Sequence, residues 1–134
     1  MGGKTPAQLY SLVFGAVLLL VGILGFFVNA SFSVGESVQR DQLILFDVNG
    51  WHNIVHTASG IVGLAMAGTP ASARLFALGF GAVYALVLLL GLFMDPLLGL
   101  LPINGADNVL HLLIALAGIG AGLASGREPA PTTA

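Results

Sequence analysis

Asn49-Gly50-Trp51-His52-Asn53-Ile54-Val55-His56 recurs as Asn104-Gly105-Ala106-Asp107-Asn108-Val109-Leu110-His111, and each copy stands at the head of a long apolar run. The same offset of 55 pairs Leu45, Val48 and Asn49 with Leu100, Ile103 and Asn104, and Gly63 with Gly118, so the phrase belongs to an internal repeat. Nearly all of the conspicuous polar chemistry of the chain falls inside the two copies. Polar groups at the ends of apolar spans are expensive to bury, which makes these segments the place to look for function.

Working outward, the apolar runs around the phrase set the class of protein. The chain has 134 residues, enough for a single domain, and is 57% hydrophobic with only 7% charged residues; soluble domains carry about 25% charged residues. This is a membrane composition. There is no cysteine, which excludes disulfides, thiolate metal sites and thiol nucleophiles. A net charge of -2, scattered along the chain, excludes nucleic acid as a partner.

Leu9 to Val28 is an uncharged run long enough to cross a bilayer as helix one, and without a small-residue cleavage site before Asn29 it reads as a span and not as a cleaved signal. Gly15, Gly22 and Gly25 within it suit close helix contact. Asn29 to Val48 is a polar connection with one apolar patch, Leu43 to Phe46, that fits either a short strand or an interfacial turn; Asn29-Ala30-Ser31 spells a glycosylation sequon. Helix two is expected over about Trp51 to Ala67 with Asn49 as its cap, ended by Thr69-Pro70. After a tight link from Gly68 to Arg74, helix three runs from Leu75 to Met94 and closes at Asp95-Pro96. Leu97 to Ala106 is short and mostly apolar and is expected either to lie at the interface or to fold back on the bundle; helix four spans about Asp107 to Ser125, and residues 126–134 are expected to form a disordered tail.

The expected fold is therefore an all-α membrane protein, one domain over 1–134, with four transmembrane helices built as two parallel helix-pair repeats (about 9–67 and 75–122). Lys4, Arg74 and Arg127 lie on one side of that path and Arg40 alone on the other, among Glu36, Asp41, Asp47 and Asp95. The positive-inside tendency puts both termini in the cytoplasm, in a multi-pass protein of the cell membrane.

On the helices, His52 and His56 share a face, as do Asp107 and His111, since each pair is four residues apart. Each face continues in small residues, Gly60, Gly63 and Ala67 on helix two and Ala115, Gly118 and Gly122 on helix four. Such stripes are expected to bring helices two and four together, with the polar side chains converging at the outer ends.

The residues His52-Asn53-x-x-His56 and Asn104-Gly105-Ala106-Asp107-Asn108-x-x-His111 resemble a family of small four-helix membrane proteins, common in actinobacteria and catalogued as a domain of unknown function (DUF4383-like). The likeness covers most of the chain. Four residues after the second histidine, where the family has glycine, this chain has Gly60 in the first copy and Ala115 in the second. The resemblance implies a multi-pass membrane protein and brings no established activity.

The site itself supports several readings. In the first, His52, His56, Asp107 and His111 and the structural cluster Asn49, Asn53, Asn104 and Asn108 form a hydrogen-bond network that fixes helix pair and loop ends. In the second, His52, His56, Asp107 and His111 bind a metal, with zinc best suited and copper or iron acceptable. A variant places a haem or pigment between His56 and His111 as axial ligands. No nucleophile constellation points to an enzyme. Transport is a third class and requires a homo-oligomer or a larger membrane complex, because four helices leave little room for a pore. Beyond the lipid bilayer, such a complex is the partner to expect, and Gly79, Gly81 and Gly91 offer it a surface.

Overall fold

The computed structural model of the chain describes residues 2–126; the expected tail, and with it Arg127, lies outside the described residues from 127 onward. Among the described residues there are four α-helices: α1 (Pro6–Phe26), α2 (Gly50–Met66), α3 (Pro70–Gly91) and α4 (Gly105–Ala124). A single 3-10 turn, Gly35–Ser37, and two short strands, β1 (Asp41–Leu43) and β2 (Phe46–Val48), lie between α1 and α2. Three helices, α1, α3 and α4, are long and apolar enough to cross a membrane.

Helix starts are fixed by caps. Thr5 and Gln8 form a capping box, the Thr5 hydroxyl accepting from the Gln8 N–H (3.2 Å) and the Gln8 carbonyl from the Thr5 N–H (3.1 Å), with Pro6 in the first turn. α1 therefore begins ahead of the apolar run at Leu9. The same chemistry corrects the expected link from Gly68 to Arg74: Thr69 accepts from the Ser72 N–H (3.2 Å) and Pro70 opens α3, so most of that segment is helical. Proline lacks an N–H, and the first turn is the one place in a helix where none is needed. The Leu43 to Phe46 patch is the turn of a β1–β2 hairpin, paired antiparallel from Asp41↔Val48 to Leu43↔Phe46, with Ile44 and Leu45 exposed at its tip.

The small-residue stripes do not join α2 to α4. Space for a Cβ at Gly60 is closed by the backbone of Leu19 and Gly15, and Gly63 meets Gly15 and Phe76; on α4, Gly118 meets Ala77 and Tyr10, and Gly122 meets Leu78. Each stripe thus faces mainly its own hairpin partner, α1 for α2 and α3 for α4. The reason lies on those partners, which carry small residues too: Gly15 packs on Gly60, Gly63 and Leu64, and Gly81 on Ala115 and Ile119. Gly81 and Gly91 pack within the bundle, whereas Gly79 faces open space.

The buried core comes from the other three helices, with Tyr10 and Leu18 of α1, Phe76 and Tyr84 of α3 and Ile114 of α4 at its centre. The Tyr10 hydroxyl is satisfied by donating to the Ile114 carbonyl (2.9 Å). α2 contributes its polar N-terminal end instead.

Candidate metal centre

Both copies of the repeated phrase start with an asparagine that does two jobs. Asn49 accepts from the His52 N–H (2.9 Å), capping α2, while its amide donates to the Leu100 carbonyl (2.7 Å). Asn104 accepts from the Asp107 N–H (2.9 Å), capping α4, and donates to the Leu45 carbonyl (2.9 Å). Each cap therefore reaches into the loop of the other helix pair. One turn further in, the Asn53 amide donates to the Asn29 carbonyl (2.8 Å) and the Asn108 amide to the Gly91 carbonyl (3.3 Å), tying α2 and α4 to the ends of α1 and α3. The absence of side chains at Gly25 and Gly91 makes room for these two amides.

Asp107 belongs to this scaffold. Its Oδ2 accepts from the Asn104 N–H (2.9 Å), completing a capping box, and from the Asp47 N–H (3.2 Å) of β2. The carboxylate is turned to backbone donors, and it is not part of the group of side chains that converge as potential ligands. Of the four residues expected to share a metal, the structure brings together His52, His56 and His111.

The Asn53 and Asn108 amides bond through nitrogen while their Oδ1 atoms go unpartnered; the unbonded nitrogens at this end of the bundle are those of the three imidazoles. Each histidine is 2% exposed, yet His52 Nδ1, His56 Nδ1, His56 Nε2 and His111 Nδ1 have no hydrogen-bond partner among the described residues. Buried polar atoms are nearly always satisfied, so four orphan nitrogens in three adjacent rings are an anomaly for a structural network. One ligand nitrogen from each ring lies within 4.8 Å of the others, and the ring centroids of His52 stand 4.4 Å from His56 and 6.3 Å from His111. Donors bound tetrahedrally at 2.0–2.1 Å are separated by about 3.4 Å, so side-chain rotations drawing the nitrogens in by about 1.4 Å or less suffice for zinc.

The rings border a cavity of about 100 Å³, otherwise walled by side chains such as Val55, Phe80, Val83, Tyr84, Leu101 and Ile103. Tyr84 meets His111 edge to face at 5.3 Å and fixes its plane. Nothing in the sequence alone marked Tyr84, which lies on a uniformly apolar helix. Above the cavity the two loops are clasped by Arg40, whose guanidinium makes a two-pronged ion pair with Asp95 (2.9 and 2.8 Å) and a further contact to Asp47 (3.2 Å). Asp95 also accepts from the Ile103 N–H (3.2 Å). The Arg40 guanidinium, helped by that N–H, holds the Asp95 carboxyl below the usual carboxylate range. The isolation of Arg40 among acidic residues was the available signal for this clasp.

The family described as Domain of unknown function (DUF4383) matches residues 8–124, and the chain belongs to it. No curated protein and no solved structure matches the chain.

Proposed function

We propose that this DUF4383 protein is a four-span membrane protein that holds one transition-metal ion, zinc by donor type, on His52, His56 and His111 at its outer end. The observation that carries the reading is the set of four orphan nitrogens on three buried, mutually adjacent imidazoles. Neutral imidazole is a good ligand for zinc, copper and iron, and coordination satisfies the nitrogens that hydrogen bonding leaves over. The hydrogen-bond network reading fits Asn49, Asn104 and Asp107, whose bonds cap helices and join loops, and fits Asn53 and Asn108 through their amide nitrogens alone; it leaves the four imidazole nitrogens without a role. A haem or pigment is the less favoured reading: the space bordered by the three imidazoles is about 100 Å³, against about 300–1,000 Å³ for pockets of larger organic ligands, and a macrocycle would have to extend into the neighbouring depression between α2 and α3. Three protein ligands with an open fourth position is the pattern of zinc sites that bind an exchangeable molecule.

Four spans and two parallel repeats are supported by the bonding pattern. α2, at 17 residues, is at the short end of the range for a transmembrane helix. Asn49→Leu100 and Asn104→Leu45 are the same bond made twice with partners exchanged, as a twofold axis along the membrane normal requires. The glycines that receive the partner helices repeat as well, Gly15 with Gly81 and Gly25 with Gly91. Both termini then face the cytoplasm with Lys4 and Arg74.

Elemental analysis of protein purified in mild detergent after growth with added zinc tests the metal. About one zinc per chain is expected for the native protein and for Asp107→Asn, and less than a tenth of that for His56→Ala or His111→Ala. No zinc in the native protein, or undiminished zinc in both histidine variants, would falsify the reading.

A further inference from the structure

The histidine cavity continues sideways. Ser59, Phe80 and Val83, which line it, also line a depression of about 420 Å³ between α2 and α3 that extends to Val62, Leu75 and Gly79. We infer that this groove is a lateral entrance from the bilayer to the open coordination position, and that it admits a small, uncharged, lipid-soluble metal ligand of the size of a diatomic gas. The inference rests on the metal reading proposed above.

On the loop side the cavity is covered by cross-linked structure. Asn49 and Asn104 stitch each loop to the opposite helix, Arg40 clasps Asp47 to Asp95, and Gly35 donates to the Gly99 carbonyl (2.8 Å), so the loops form a roof. Leu97, Pro102 and Ile103 are buried beneath it. The route from the membrane side is open. α2 and α3 touch far less than α1 and α2 or α3 and α4 do, and the seam between them is where the groove lies. Val62, Leu75 and Val83 are 47%, 67% and 55% exposed along it, and a side chain at Gly79 would meet nothing within 4 Å.

Size and polarity select the occupant. A cavity of about 100 Å³ holds the equivalent of about three waters at roughly 30 Å³ each, which limits the ligand to a few heavy atoms. The groove is lined by apolar side chains apart from Ser59 and carries no charged group, and a charged molecule is excluded from the hydrocarbon through which the groove is reached. A neutral molecule concentrates in the same hydrocarbon and arrives at the metal from the side.

The test uses the full chain in lipid nanodiscs, loaded with Co²⁺ in place of zinc, and nitric oxide as the neutral probe. Nitric oxide bound to high-spin Co²⁺ gives an integer-spin adduct, so loss of the Co²⁺ electron paramagnetic resonance signal after rapid freezing reads the binding rate. Gly79→Phe, whose Cβ meets nothing within 4 Å, is expected to slow binding at least tenfold while Co²⁺ content and the starting spectrum stay unchanged; Gly79→Leu is a second, smaller plug. Gly120→Phe, at another open position on α4, should react at the native rate, and azide added from water, whose binding would alter the shape of the Co²⁺ spectrum without abolishing it, should leave that shape unchanged over the same period. Native rates in both plugged variants, as when a lipid chain already occupies the groove, overturn the lateral entrance, and so does azide reacting as fast as nitric oxide. If the native protein retains no Co²⁺, the metal reading falls and takes the entrance with it; retained Co²⁺ with insensitive rates removes the entrance alone.

Discussion

Replacing Gly60 by alanine measures how closely α2 must approach α1 to hold the histidines. A Cβ at Gly60 would stand 2.4 Å from the Leu19 nitrogen, 2.7 Å from the Gly15 carbonyl oxygen and 2.7 Å from the Leu19 Cα, all of them backbone atoms. No side-chain rotation relieves such contacts, so the helices must separate. Overpacking costs about 1–3 kcal/mol, and three backbone contacts argue for the upper end. Removing a mid-helix glycine returns about 0.5–1 kcal/mol. The net loss is about 2 kcal/mol, or roughly thirtyfold in the folding equilibrium. The opposite sign is expected at Gly79, where a Cβ meets nothing and only the helix-propensity gain remains, a stabilisation of up to about 1 kcal/mol. Unfolding of both variants in mixed micelles by added SDS, followed by circular dichroism, gives the two numbers. If Gly60→Ala is as stable as the native protein, the close α1–α2 contact is wrong, and with it the placement of His56 one turn above.

Asn104→Ala removes both the α4 cap and the bond to the Leu45 carbonyl and should cost about 1–2 kcal/mol in the same assay, whereas an unchanged midpoint would mean that the cap bonds to water equally well. The Arg40–Asp95 pair predicts a pH effect. Because the folded-state pKa of Asp95 is depressed, its contribution is present above the unfolded value, about 3.9, and is lost as pH falls through the folded one. With the Asp95 side chain 41% exposed, the term is at most about 1 kcal/mol and weakens in salt. The melting-temperature gap between the native protein and Asp95→Asn should therefore narrow as the pH falls below about 4, and a gap that stays constant or widens on acidification would contradict the assignment. Reporter fusions at the two ends should both signal from the cytoplasm; opposite signals require an odd number of spans.

The bodies of the helices were legible because uncharged runs of spanning length have few alternatives in a chain this poor in charge. Their starts were less so. Thr69-Pro70 reads as a breaker when only proline is weighed, and as a start once threonine is recognised as the cap and proline as the first helical residue, the pattern that Thr5-Pro6 also follows. The small-residue stripes gave the correct faces for close packing but assigned the wrong neighbour, since periodicity along one helix specifies a face and leaves its partner open; Gly15 and Gly81 on the preceding helices were the missing complement. Within the repeated phrase, His52 and Asp107 hold equivalent positions three residues after a capping asparagine, and their chemistry separates them. A carboxylate there accepts the cap's own N–H, so Asp107 closes a capping box, while the His52 Nδ1 is left for another role. The lateral groove had no signature in the sequence, because it depends on how loosely α2 and α3 pack.

Zinc K-edge X-ray absorption of the zinc-loaded protein tests the central claim most directly. Three imidazoles at His52, His56 and His111 predict a four-coordinate first shell of nitrogen and oxygen near 2.0–2.1 Å, with outer-shell scattering that fits three rings and drops to two in His56→Ala if any metal remains. A shell of oxygen donors without imidazole scattering, or one unaltered by His56→Ala, would contradict a metal held by these three histidines.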